Sequence, residues 1–73
     1  MIQCSACEQG SLIHVRIKPT GLIGYICDEC EAFWEAESVQ LLDLNSDGTA
    51  YYARMAELGL SDNWDYLEIL ASV

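Results

Sequence analysis

From Ser11 the chain alternates: Ile13, Val15 and Ile17 share one face, with His14, Arg16 and Lys18 on the other. That period of two predicts a half-buried strand. Pro19-Thr20-Gly21 interrupts it as a turn, with Pro at the second position and Gly closing. Leu22-Ile23-Gly24-Tyr25-Ile26 predicts the returning strand of a hairpin, and Gly24 marks a bulge or a close backbone approach within it. Phe33 to Leu44 predicts one or two further strands in preference to a helix. Asn45-Ser46-Asp47-Gly48 is a clear break. Beyond it, Thr49 to Leu58 predicts a helix, with Tyr52, Met55 and Ala56 at helical spacing and Gly59 placed to end it. A second helix is expected from Ser61 or Asp62 through Leu70. Its apolar stripe would be Trp64, Leu67 and Ala71, while Asp62, Asp65 and Glu68 recur every third residue on another face. The fold class expected is a small α+β domain over residues 1–73. Residues 1–44 form its β part and 45–73 its helical part.

Length and charge sharpen this picture. A chain of 73 residues buries only roughly 60% of its unfolded surface, so a core alone gives little margin. The composition is nonetheless that of a folding chain, at 52% hydrophobic. Acidic residues number 12 against 3 basic ones, a formal net charge of −9. The imbalance is concentrated. From Cys27 onward there are eleven acids and one base, Arg54, or −10. Phosphate backbones repel such a surface, which argues against direct nucleic-acid binding and for a basic protein partner.

Four cysteines supply the missing stability. Cys4-Ser5-Ala6-Cys7 and Cys27-Asp28-Glu29-Cys30 are two C-x2-C pairs separated by 19 residues. Two residues between cysteines let one tight turn aim both sulfurs at a single ion, and the hairpin between the pairs returns the second beside the first. Cys4, Cys7, Cys27 and Cys30 are therefore the expected ligands of one structural Zn2+, covered by Phe33 or Trp34. Such a site contributes on the order of 10–16 kcal/mol to folding at neutral pH. Disulfides are the rival, but the first cysteine lies at position 4, which leaves no room for a signal peptide, and no apolar run is long enough for a membrane span. A reducing cytoplasm is the expected location.

Other motifs carry less. Asp43-Leu44-Asn45-Ser46-Asp47-Gly48 copies the first half of an EF-hand calcium loop, yet position 12, where the bidentate glutamate belongs, is Arg54. It reads as an Asx-rich turn. His14 reads as an exposed strand residue, and no nucleophile–base pair or phosphate loop is visible, so no enzyme is expected.

Residues 1–34 resemble the small Cys4 zinc-ribbon family through the four cysteines and the Pro19-Thr20-Gly21 hairpin. The resemblance implies a zinc-ribbon β-hairpin with a third strand, followed here by one or two short C-terminal helices. The usual ribbon knuckle is C-P-x-C-G. Here Ser5 and Glu8 stand in the first knuckle and Asp28 and Glu31 in the second. The whole chain also looks like the small acidic immunity proteins that bacteria encode beside secreted toxins, including those of contact-dependent inhibition. That likeness rests on size, charge and the absence of catalytic apparatus. It implies an inhibitor of a basic nuclease toxin, with Asp62, Asp65, Glu68, Trp64 and Tyr66 as contact residues: aromatics for affinity, carboxylates for steering. The alternative is a zinc-ribbon adaptor docking on the transcription or translation machinery.

Overall fold

A computed structural model describes residues 2–72 and shows a five-stranded antiparallel sheet with one short helix. In chain order the strands are β1 (Leu12–Ile17), β2 (Leu22–Cys27), β3 (Ala32–Glu35), β4 (Thr49–Ala50) and β5 (Leu67–Ser72), and helix α1 (Tyr51–Glu57) lies between the last two. Across the sheet the order is β4-β3-β2-β1-β5. The hairpin forms as the alternation predicts. Leu12 pairs with Cys27 and Ile17 with Leu22, and the turn is closed by the N–H groups of Thr20 and Gly21 on the Ile17 carbonyl.

The two faces of the sheet carry separate cores. On one, Val15, Ile17, Ile26 and Phe33 pack with Leu67 and with Tyr51 and Met55 of α1. On the other, Leu12, Tyr25, Ala32, Trp34 and Ala36 pack around Cys4 and Cys27. Gly24 is a close approach: a Cβ there would lie 2.5 Å from the Phe33 ring and 2.4 Å from the Trp34 carbonyl. Removing the side chain lets the strands and the ring share that space. His14 is not exposed as expected but half-buried, its ring stacked on Tyr25 at 4.4 Å.

The expected fold class is corrected at the C-terminus. No second helix forms among the described residues. Trp64–Tyr66 is a single 3-10 turn, and Leu67–Ser72 is an edge strand hydrogen-bonded to β1. The physical reason is the partner available. A lone helix over 61–70 would bury one stripe, whereas a strand here completes the exposed side of β1 and still places Leu67 in the core. The register shifts within β5 opposite His14 and Val15. This bulge breaks the period of two and disguises the strand in the sequence.

The first helix does form, one position out of phase. Tyr51 and Met55 are its buried residues, while Tyr52 is 67% exposed. The Tyr51 hydroxyl donates to the Asn63 carbonyl at 3.0 Å. Gly59, at a positive φ, ends the helix with its N–H on the Ala56 carbonyl and the Leu60 N–H on that of Met55. No helix among the described residues is long and apolar enough to cross a membrane.

Candidate metal centre

The metal site lies at one end of the sheet. The first knuckle, residues 4–10, is clasped against β1 by the Leu12 N–H on the Ile2 carbonyl and by the Cys4 N–H on the Gly10 carbonyl. The second knuckle is the β2–β3 connection, so Cys27 ends one strand and Cys30 precedes the next. Pairing of Leu12 with Cys27 sets the two knuckles side by side.

All four sulfurs lie within 4.8 Å of one another. Cys4 Sγ is 3.7 Å from Cys30 Sγ, and Cys7 Sγ is 3.7 Å from Cys27 Sγ. A tetrahedral ion with metal–sulfur bonds of about 2.3 Å needs sulfurs about 3.8 Å apart. The thiols are free. The donor set and its spacing therefore fit one metal ion held by four cysteines.

The knuckle backbone prepares these sulfurs as thiolates. The N–H of Ala6 points to Cys4 Sγ (3.3 Å), that of Gly10 to Cys7 Sγ (3.4 Å), and those of Glu29 and Cys30 to Cys27 Sγ (3.3 and 3.4 Å). Backbone N–H groups, first Gln9 and then Gly10, bring the Cys7 thiol down to about 6. Burial pushes Cys27 up. Cys30 is the exposed member by area, yet its sulfur is turned into the cluster, where lost hydration and then the neighbouring sulfurs raise it to about 12. A cluster that resists carrying several thiolates on its own, while its backbone donors favour the charged form, is one that a cation completes.

Two features around the ligands were partly legible. Glu8 and Glu31, each immediately after the second cysteine of its knuckle, adopt φ of 59° and 62°. This is the left-handed conformation that glycine supplies in the usual ribbon pattern. Gly10 closes the first knuckle, its carbonyl accepting from the Cys4 N–H. A Cβ there would sit 2.4 Å from Cys27 Sγ and 2.8 Å from Asp28 Oδ1, so the metal knuckles close only because Gly10 has none. Trp34, not Phe33, is the aromatic that joins the Cys4–Cys27 core, and its Nε1 donates to the Ser46 carbonyl at 3.1 Å.

Among the described residues, the cysteine quartet is the cluster with metal-ligand geometry. The calcium-like segment is an Asx turn, with the Asn45 N–H on Asp43 Oδ1 at 3.0 Å, and Arg54 pairs with Glu35 at 3.0 Å.

The C-terminal candidates are dispersed. Trp64 is half-buried edge-on against Tyr51, and Tyr66 is half-buried against the same core. Asp62 and Asp65 are exposed, and Glu68, on β5, is paired with Arg16. The helical face that would have aligned the three carboxylates is absent. Compared with protein-family models, curated proteins and solved structures, the chain finds no match.

Proposed function

We propose that the four cysteines hold one structural Zn2+ and that the protein binds and inhibits a basic protein partner, a nuclease toxin, in the manner of small bacterial immunity proteins. The cysteines support the first half: four thiolates close a tetrahedral sphere and leave no position for a water nucleophile, so the metal reads as scaffold and the role as non-catalytic. The free thiols favour a reducing, cytoplasmic setting.

The observation that carries the second half is where the charge sits. Eleven of the twelve carboxylates are exposed, and Glu68 is half-exposed. Of the three cations, Arg16 is taken up by Glu68, and Arg54 by Glu35 and Glu57. A surface with so little internal neutralisation attracts a cationic protein, and a nuclease active site built to bind phosphates is one.

The test is capture on the zinc-loaded protein from cells of its own source, followed by assay of what binds. The expected partner is basic, loses its nuclease activity at one equivalent, and associates at least about tenfold more slowly in 1 M salt. Partners that are acidic, or a nuclease unaffected by excess protein, would contradict the proposal.

A further inference from the structure

Resting on that reading, we infer that the basic partner docks in the groove between β2 and the segment that follows β3, presenting a lysine- or arginine-rich amphipathic segment. Residues 36–48 leave the sheet after β3 and return at β4. They are pinned at three points: Ala36 is buried with its N–H on the Ile23 carbonyl, Leu42 packs on the cysteine-side core, and the Ser46 carbonyl accepts from Trp34. Between these anchors the chain turns three large apolar side chains outward. Val39 is 49% exposed, Leu41 67% and Leu44 36%. Val39–Leu41 is itself an ordered 3-10 turn, so this is a held display of apolar surface.

Beside it opens a groove of about 360 Å³, with Leu22, Ile23, Ala36 and Leu41 supplying apolar walls and Glu35 and Glu37 the rim. That volume takes one or two apolar side chains. The charge around it selects the occupant. Residues 35–48 contain Glu35, Glu37, Asp43 and Asp47 and no lysine or arginine. Of these four, Arg54 pairs with Glu35 alone, and Glu37, Asp43 and Asp47 stay exposed. An apolar anchor set in the groove with cations beside Glu37 and Asp43 satisfies both features.

The open edge of β5 is the rival surface, with Ile69 and Leu70 exposed. Its neighbour β1 carries Arg16, and Lys18 follows directly, with its N–H on the Tyr66 carbonyl. Glu68 offsets Arg16 there, but Lys18 adds a cation to that edge whereas residues 35–48 carry none, which makes the edge the poorer match for a basic segment.

The test uses the metal-loaded full chain and two synthetic dodecapeptides, one of lysine and leucine and one with serine replacing leucine, titrated while backbone amide shifts are followed by NMR. The lysine–leucine peptide is expected to perturb Ile23, Ala36, Val39 and Leu41 and to bind at least about tenfold tighter than the serine peptide. Leu41→Ser and Glu37→Gln, both at exposed positions, are each expected to weaken it about fivefold while leaving the rest of the spectrum in place. Unchanged affinity in Leu41→Ser, or shifts centred on 62–70, would overturn the groove and leave a basic partner standing. Failure of both peptides to bind would also overturn it, and the capture experiment then judges the partner on its own.

Discussion

At the scale of single residues, the positions that shape the metal centre are not only its ligands. Gly10 faces Cys27 Sγ so closely that a methyl group would lie 2.4 Å from the sulfur. Gly10→Ala must therefore separate the knuckles or move the ligand. It is expected to lower the unfolding free energy of the metal-loaded protein by about 1–3 kcal/mol, the range for overpacking a filled site. Chemical denaturation of the loaded variant checks this, and an unchanged midpoint would contradict it. Glu8 and Glu31 act in the opposite sense, since both hold a left-handed backbone. A non-glycine residue there costs about 1–2 kcal/mol, part of which glycine forfeits through its freer unfolded chain. Glu8→Gly and Glu31→Gly are each expected to stabilise the loaded protein, by up to about 1 kcal/mol. A fall in thermal midpoint for both would refute the strain. The departure of both positions from the C-P-x-C-G pattern was visible in the sequence. Its conformational meaning needed the backbone, and the contact of Gly10 needed the second knuckle in place.

At the scale of elements, the hairpin was legible because Ile13, Val15 and Ile17 obey a strict period of two and a single turn joins β1 to β2. The helix was legible at its C-terminal end from the Gly59 stop, but Thr49 and Ala50, expected within it, form β4. The choice of Tyr52 over Tyr51 placed its buried face wrongly. The strand β5 was not legible. Trp64, Leu67 and Ala71 mimic a helical stripe, and the bulge destroys the alternation that Leu67, Glu68 and Ile69 begin. In the strand Leu67 is buried in the α1-side core and Ile69 is 55% exposed. Leu67→Ala is accordingly expected to cost about 2–5 kcal/mol and Ile69→Ala about 0.5 kcal/mol or less. Equilibrium denaturation of the two variants measures the difference. Equal costs, or a larger cost at Ile69, would contradict the burial that the edge strand imposes.

At the scale of the whole molecule, the sheet is a partition. One face carries an apolar core built with α1, and the other carries the core that continues into the cysteine cluster. The acidic charge lies outside both, because no acidic residue among the described residues is buried. Metal binding couples the second core to pH. Cys27 and Cys30 lie above the ordinary thiol value and hold protons at pH 7, while Cys7, at about 6, is already largely ionised. The metal takes thiolates, so loading at pH 7 must displace at least the protons of Cys27 and Cys30. Lowering the pH opposes binding: apparent affinity is expected to fall by at least about 100-fold per pH unit near neutrality, and more steeply once Cys7 protonates as well. Calorimetry in buffers of different ionisation enthalpy counts the released protons, and fewer than two would contradict this coupling.

The claim on which the rest depends is that all four cysteines close around one zinc. X-ray absorption at the metal edge of protein purified with its native metal addresses it directly. The expected spectrum is that of zinc, with four sulfur neighbours at about 2.3 Å and no oxygen or nitrogen in the coordination sphere. An absent or different metal, or a sphere containing oxygen or nitrogen, would contradict a closed structural zinc centre built from Cys4, Cys7, Cys27 and Cys30.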